Sequence, residues 1–185
     1  MEIIKHIGTN SIETVRLMLR RFKPEDTLDM YKNWASDKET LKYLPWGPHS
    51  DILVTQRRIL SWVENYKQDN VYNWAIYLKS HGEVIGSISI EMTNEKEKSC
   101  EIGYCIGKEF WGRGIVVEAL CAVMHYLYYE VGYKKIIAKH DVLNQASGRV
   151  MQKAGMQFEK IIFNVGHRRD KSVYNVAVYS KYNND

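Results

Sequence analysis

Seven stretches of the chain show the hydrophobic patterns of β-strands, either alternating apolar and polar positions or short apolar runs. In the first stretch, Val15, Leu17 and Leu19 are predicted to point inward. Ser80-His81-Gly82 separates two others and is typical of a hairpin turn. The predicted strands are residues 14–22, 72–79, 84–92, 100–106, 135–140, 158–165 and 174–179.

Four further segments carry helix signals. Pro24 and the two acidic residues after it predict a helix start, because proline and negative charge favour the first turn. Glycine follows the last two segments and predicts their ends. The predicted helices are residues 24–34, a segment that begins at Ser50-Asp51 and carries Ile52, Ile59, Val63 and Tyr66 on one face, residues 115–131, and a segment that starts at Asn144 or Ser147 and ends at Gly155.

The order of these elements predicts the fold class. One strand, two helices, three meandering strands, helix, strand, helix and two strands indicate an α+β fold with a mixed sheet. No repeat or linker interrupts the order, and 185 residues are enough for a sizeable core. We therefore expect a single domain, residues 1–185.

Charge and composition exclude several classes of protein. The 26 Lys and Arg residues exceed the 22 Asp and Glu residues by too little to indicate nucleic-acid binding. The N-terminal MEIIKHIG lacks the apolar centre of a signal peptide, and no run of about 18 apolar residues predicts a membrane span. The basic residues expected to lie in solvated turns rather than on a nucleic-acid-binding surface are Lys134, Lys135, Arg168, Arg169 and Lys171.

The cysteines indicate the redox environment. Cys100, Cys105 and Cys121 are odd in number and lack the spacing of metal ligands. We therefore expect reduced thiols, no bound metal and a cytoplasmic location.

Between the strand at 100–106 and the helix at 115–131 lies a loop with three glycines, Gly107, Gly112 and Gly114. The first N–H groups of a helix lack partners and carry partial positive charge, so such a loop predicts an anion site. Glycine lets the backbone approach a diphosphate closely, and Arg113 would add a charged, forked donor. The alternative is a plain turn with an exposed arginine.

Two known phosphate loops do not match this segment. A P-loop requires Lys and then Ser or Thr after its last glycine, whereas Ile115, Val116 and Val117 follow Gly114. A dinucleotide fingerprint requires Gly or Ala at Val117 and a tighter turn after the strand.

The hexapeptide from Trp111 to Val116 resembles the pyrophosphate loop of the GCN5-related N-acetyltransferases (GNAT), Gln/Arg-x-x-Gly-x-Gly/Ala. The resemblance covers nearly the whole chain and is closest to the ribosomal-protein N-terminal acetyltransferase (RimJ/RimL)-like branch. There, strands like Glu101-Ile-Gly-Tyr104, a Glu118-Ala119 pair and an Asn-x-x-Ser segment before Arg-Val-Met-x-Lys recur. Trp111 and Val116 depart from the motif, in which the first residue is polar and the last is small.

This resemblance implies an N-acetyltransferase that uses acetyl-CoA and no metal. It implies a GNAT-like mixed, mostly antiparallel sheet of about seven strands flanked by about four helices. Coenzyme A would enter where the strands at 100–106 and 136–140 part. The residues implied in binding it are Tyr104, Cys105, Ile106, Gly112, Arg113, Gly114, Ile115, Val116, Val117, Asn144, Ser147 and Lys153.

The chemistry requires a base, because a free ammonium loses its proton only near pH 10. Glu101 is the predicted base, and Glu91 or water is the alternative. Glu101 could instead have a purely structural role, as a member of an ion pair on the sheet surface. Met151 occupies a position where many family members have Tyr, so Ser147 is the candidate acid for the departing thiolate, or simply a helix cap. Trp46 is the candidate acceptor contact, or an aromatic plug over the core.

The sequence leaves the acceptor open. A protein N-terminus, a polyamine, an amino sugar and an amino acid all present a primary amine. A catalytically weak CoA-binding or sensing domain is the alternative function, indicated by Met151 and Val116. Oligomeric state is also open, a homodimer included.

Overall fold

The computed structural model describes residues 3–168 and 171–183, within which eight strands form one sheet. The strands are β1 (Ile12–Glu13), β2 (Leu17–Arg20), β3 (Asn73–Leu78), β4 (Glu83–Asn94), β5 (Ser99–Ile106), β6 (Lys135–Asp141), β7 (Gln157–His167) and β8 (Val173–Tyr182). Their order is β1-β2-β3-β4-β5-β6-β8-β7. Only β5 and β6 are parallel neighbours in this described sheet. The predicted mixed, mostly antiparallel sheet is confirmed, and the extra strand is the two-residue β1.

The four predicted helices are also present in the described residues. They are α1 (Thr27–Met30), α2 (Ile52–Asn65), α3 (Ile115–Tyr126) and α4 (Gln145–Lys153). A 3₁₀ turn at Pro24–Asp26 precedes α1 and a π-helical turn at Tyr31–Ala35 follows it. A second π-helical turn, Leu127–Val131, extends α3. None of the helices described is long and apolar enough to span a membrane.

The predicted caps explain where these helices begin and end. Asp51 accepts hydrogen bonds from the N–H groups of Leu53 and Val54 and so caps α2. Asn144 accepts from the Ser147 N–H and caps α4. Gly132 follows the extension of α3 with a left-handed φ of +96°, which is the backbone geometry of a helix stop.

The sheet separates two apolar cores. The larger core lies under α3 and α4 and includes Cys100 and Ile102 of β5. The smaller core lies under the α1 segment and α2, and Cys105 packs against it. Because side chains alternate across a strand, Glu101, Gly103 and Cys105 share the α1/α2 face.

Two predicted inward positions are wrong. Val15 is 92% exposed, because it lies in the turn where the Thr14 N–H donates to the Leu17 carbonyl, before β2 begins. Ile52 is 39% exposed at the first position of α2. In both cases the apolar residue fits the hydrophobic pattern of its strand or helix. It lies at the end of that element, however, where the sheet no longer covers it.

Two of the five basic residues weighed above as a nucleic-acid-binding surface are engaged in ion pairs. Lys135 pairs with Glu159, and Arg168 pairs with Asp141. Arg169 lies outside the described residues.

Candidate active site

An open edge of β5 forms the centre of the candidate site. The parallel pairing of β5 with β6 ends at Ile102 and Ala138, so residues 103–106 lie beyond it. The other edge of this segment is occupied by β4. The predicted parting of the two strands is therefore confirmed.

Hydrogen-bonding direction alternates along this segment. The Gly107 N–H donates to the Ile85 carbonyl of β4 over 2.9 Å, so the backbone groups of Tyr104 and Ile106 point to the open edge. Trp111 Nε1 donates to the Ile106 carbonyl over 2.9 Å, which agrees with that direction. Trp111 thus attaches the glycine loop to the end of β5. The other backbone groups of this edge, which are the N–H and carbonyl of Tyr104 and the N–H of Ile106, suit the amides of an extended ligand.

Two glycines in left-handed conformation shape the loop before α3. Gly112 has φ +75° and Gly114 has φ +72°, angles that other residues rarely adopt. A Cβ on Gly112 would meet no atom within 4 Å, so the space beside it is open. The exposed guanidinium of Arg113 lies 5.6 Å from the centre of the Phe110 ring. An open, basic approach to the N-terminus of a 12-residue helix fits a diphosphate.

The first turn of α3 keeps its side chains out of this approach. Ile115 and Val116 are 3% and 8% exposed, and Val117 packs partly against the same core. Their N–H groups belong to the helix end, where the macrodipole favours negative charge. Val116, the bulky residue at the motif's last position, therefore occupies core space rather than loop space.

An ion pair distant in sequence fixes the loop, and the sequence did not predict it. Arg16 Nη1 donates to the Arg113 carbonyl over 2.9 Å, and Arg16 Nε donates to Glu118 Oε2 over 2.6 Å. Thr14 Oγ1 also donates to Glu118. Burial opposes ionisation of Glu118, but the hydrogen bonds from Thr14 and Arg16 outweigh it and hold its pKa below the ordinary value.

The N-terminus of α4 faces β5 through a pair of hydroxyl groups. Asn144 Oδ1 accepts from the Ser147 N–H over 3.3 Å, so this side chain has the predicted capping role. The Tyr104 phenol lies 2.9 Å from Ser147 Oγ and 3.1 Å from the Ser147 carbonyl. Burial raises the pKa of Tyr104 far above its ordinary value, so the phenol stays protonated. Ser147, the candidate acid, is therefore in contact with a second hydroxyl donor.

Two other residues of α4 lie apart from this pair. Met151 is 1% exposed and belongs to the core under α4, so it replaces a tyrosine with an apolar plug. Lys153, predicted to contact the cofactor, is exposed at the last position of α4, roughly 12 Å along the axis from Gln145.

Two carboxylates stand on the α1/α2 face of the sheet near the open edge. Glu101 forms an ion pair with Lys139 of β6 and lies in the paired part of β5. Glu91 is the extra residue of a β-bulge between the pairs made by Ile90 and Met92. Bulges redirect a side chain, and here Glu91 lies over Gly103, the first residue of the open segment. Ser89 Oγ donates to Glu91 Oε1 over 2.6 Å.

Trp46 has the contacts of the predicted aromatic plug, and its contact with an acceptor stays a prediction. The indole packs against the smaller core, which is the role of an aromatic plug. It also lies 5.6 Å from the His49 ring and lines a cavity of about 370 Å³ beside α2. It is therefore part of a wall on the face that carries Glu91 and Glu101.

His140 was not predicted as a site residue. It lies on β6 beyond the pairing with β5, and its Nδ1 is 2.8 Å from the Asp141 carbonyl. A carbonyl only accepts, so Nδ1 donates, and in the neutral form of the ring Nε2 is then an acceptor. Nε2 is buried beside Gly148 and has no hydrogen-bond partner in the described part of the chain. No local sequence pattern around an apolar strand indicates such a group.

Nowhere in residues 3–168 and 171–183 do three or more His, Cys, Asp or Glu side chains form a group that could hold a metal ion. The three cysteines are not bridged.

Comparisons with known proteins agree with this geometry. The family profile described as acetyltransferase (GNAT) domain matches residues 16–157. Over 148 residues the chain is 30% identical to the uncharacterized N-acetyltransferase YnaD of Bacillus subtilis strain 168, covering 80% of this chain and 83% of that protein. Over 154 residues it is 25% identical to the ribosomal protein uS5-alanine N-acetyltransferase of Escherichia coli K12, covering 80% and 78%.

A solved structure shows the same fold. RimL, described as a ribosomal L7/L12 alpha-N-protein acetyltransferase in complex with coenzyme A, superposes with a TM-score of 0.83. It is 20% identical, and the match covers 94% of this chain and 98% of that chain.

Proposed function

Because the chain belongs to the GNAT family of acetyltransferases, we propose that it transfers the acetyl group of acetyl-CoA to a primary amine. One observation carries the proposal: the open edge of β5 leads directly to two left-handed glycines at the N-terminus of α3. An extended ligand with amide groups and a diphosphate has complementary chemistry at both places.

The geometry of the loop and of β5 supports the following binding residues. The N–H groups of residues 112–117 would hold the diphosphate, with Arg113 beside them. Tyr104 and Ile106 would hold the amides of the pantetheine arm along β5, and Asn144 lies across the cleft at the start of α4. The bound thioester supplies an activated acetyl group and a thiolate leaving group.

Glu91 is the base that we propose, in preference to Glu101. The carboxylate of Glu101 is engaged in an ion pair with Lys139 and lies in the part of β5 that is paired with β6, away from the open edge. Glu91 stands over Gly103 at the start of the open edge. Its carboxylate would take the proton of the acceptor ammonium, directly or through one water.

Backbone and hydroxyl groups near Tyr104 would stabilise the other charges of the reaction. An N–H at the open edge of residues 104–106 would donate to the carbonyl oxygen of the thioester as negative charge develops there. We propose the Tyr104–Ser147 hydroxyl pair as the proton source for the departing thiolate. A thiolate is a good leaving group, so we assign this pair a minor kinetic role.

The acceptor is a protein N-terminus or a small-molecule amine. The relative from E. coli is named for the alanine of ribosomal protein uS5. A structural neighbour of the same fold, the microcin C7 self-immunity acetyltransferase MccE, was solved with acetyl-CoA and AMP. We propose a cytoplasmic location, since the cysteines are not bridged.

The test is an acceptor panel with acetyl-CoA, with free thiol release measured against a blank without amine. Peptides with free N-termini, polyamines, amino sugars and amino acids form the panel. Amine-dependent release of thiol is the expected result. Binding of CoA by calorimetry without release on any amine would instead identify a CoA-binding domain that does not catalyse transfer.

A further inference from the structure

A cavity of about 370 Å³ lies between α2 and the loop that precedes it. Residues of the loop form one wall, and one face of α2 forms the other, because positions three and four apart share a face. The lining residues are Trp46, Gly47, His49, Val54, Arg57, Arg58 and Ser61. Its volume is that of a site for a small ligand or a few residues of peptide.

The loop wall is held in place by specific contacts. The His49 N–H donates to the Ala35 carbonyl over 2.8 Å, at the end of the α1 segment. His49 Nδ1 lies 2.8 Å from Oγ1 of the buried Thr55 on α2. Trp46 packs against the smaller core on one side and the His49 ring on the other. The aromatic wall is therefore a fixed surface.

The charge of this cavity is positive. Arg57 and Arg58 contribute two guanidinium groups, and no carboxylate is among the lining residues. The adjacent Asp51 accepts hydrogen bonds from Ser50 and from the N–H groups that begin α2; these bonds, and also the charge of Arg57, lower its pKa, so one carboxylate lies near the two guanidinium groups. Burial, and then the charge of Arg58, lowers the pKa of His49, so its ring is neutral at pH 7 and the arginines supply the charge.

The cavity lies on the α1/α2 face of the sheet, the face that carries Glu91 and Glu101. Trp46 packs against the core that also contacts Cys105 of β5, and Cys105 shares its face with Gly103 and Glu101. A molecule that presents its amine to Glu91 at the open edge would extend toward this side of the sheet, away from α3 and the proposed diphosphate loop.

We propose that this cavity binds a carboxylate or phosphate group of the acceptor, so that the enzyme prefers amines that carry negative charge. The inference rests on the proposed acetyltransferase function and names the acceptor's chemistry. Guanidinium groups bind carboxylate and phosphate in a forked geometry, and Trp46 supplies an apolar surface for the group that carries the anion. The anion has two sources, an acidic peptide or a small phosphorylated amine.

Two matched pairs of acceptors test the preference. The C-terminally amidated peptides Ala-Glu-Glu-Gly and Ala-Gln-Gln-Gly have nearly the same shape and differ in two carboxylates, and phosphoethanolamine and ethanolamine differ by one phosphate. We expect kcat/KM at least ~10-fold higher for the charged member of one pair, the size of a lost charge-assisted hydrogen bond. A preference in the peptide pair identifies an acidic peptide, and one in the other pair identifies a small phosphorylated amine.

Variants locate the preference. In Arg57→Gln/Arg58→Gln the charged acceptor should lose its advantage over its uncharged partner, whereas CoA affinity, which depends on the proposed diphosphate loop, should be unchanged. Lys67→Gln is the matched control, since Lys67 is exposed just beyond α2, outside the cavity, and pairs with Glu64. It should leave the preference intact.

The inference would be overturned if the wild type had equal kcat/KM for the charged and uncharged members of both pairs. It would also be overturned if Lys67→Gln lost the preference to the same extent as the double variant. If no amine is acetylated, calorimetry with both pairs of acceptors and CoA-loaded protein decides it. Tighter binding of the charged member of one pair that weakens in the double variant and in high salt supports the anion site. Equal binding within both pairs rejects it independently of catalysis.

Discussion

The side chain of Glu91 lies across Gly103, so that a Cβ on residue 103 would come within 3.0 Å of Glu91 Cγ and Oε1. We predict that Gly103→Ala displaces the carboxylate and lowers kcat by about 10-fold, because small displacements of a catalytic group cost large factors in rate. CoA affinity should change by less than about twofold, since the backbone edge is intact. Steady-state kinetics and calorimetry measure the two effects.

A double-mutant cycle shows whether this effect passes through Glu91. In the Glu91→Gln background, Gly103→Ala should cause little further loss, because the displaced group is already inactive. Full additivity of the two losses would mean that the methyl group disturbs the site by another route.

We predict that Glu91→Gln lowers kcat by ~10²-fold at neutral pH, because the amide keeps the shape but cannot accept a proton. The rate should recover toward pH 10, where the acceptor amine is already neutral. Glu101→Gln, the matched variant, should lose much less. The opposite order, with recovery at high pH only in Glu101→Gln, would restore the base predicted from the sequence. Circular dichroism of both variants excludes unfolding as the cause.

The glycine loop gives a prediction about CoA. Gly114→Asp should weaken CoA binding at least ~10-fold, because it adds a negative charge beside the diphosphate at a left-handed position. Gly114→Asn is the control, since asparagine has nearly the same shape, tolerates this conformation and carries no charge. It should lose clearly less affinity in calorimetry. Equal dissociation constants for the wild type and the Asp variant would place the phosphates elsewhere.

Features encoded by neighbouring residues could be predicted from the sequence. The alternation of apolar positions gave β3, β4 and β5, and Gly112 and Gly114 gave the loop, because the required φ angles depend on the residue itself. The Asp51 and Asn144 caps are local in the same sense. For these elements the tertiary structure agrees with the local preference.

Contacts between distant elements could not be predicted in this way. The Arg16–Glu118 pair joins residues separated by 102 positions, and the sequence around either residue does not indicate its partner. The Glu101–Lys139 ion pair depends on the register of the two parallel strands, which the sequence does not specify. The position of Glu91 over Gly103 depends on a bulge that adds one residue to β4. The sequence therefore favours Glu101 as the base, whereas we propose Glu91 on the geometry of the open edge.

Glu118 of α3 binds Arg16, which holds the glycine loop to the turn between β1 and β2, and protonation of Glu118 should loosen that link. Its pKa is lowered in the folded protein, so the carboxylate contributes stability above the unfolded-state value of about 4.3 and loses it as pH falls through the folded-state pKa. At pH 7 we expect Glu118→Gln to lower Tm by roughly 3–6 °C, the effect of losing about 1.5 kcal/mol of charged hydrogen bonding.

The control for this variant is Glu13→Gln, which removes an ion pair between Glu13 of β1 and Lys79, the residue that follows β3. Exposed pairs contribute little, so its Tm should stay within about 1 °C of the wild type. The Tm difference between Glu118→Gln and the wild type should shrink as pH falls below about 4, because the wild-type carboxylate then becomes neutral as well. A difference that stays constant down to pH 3 would show that Glu118 acts by shape and packing rather than by its charge, and the Arg16 contact with the Arg113 carbonyl would then fix the loop without it.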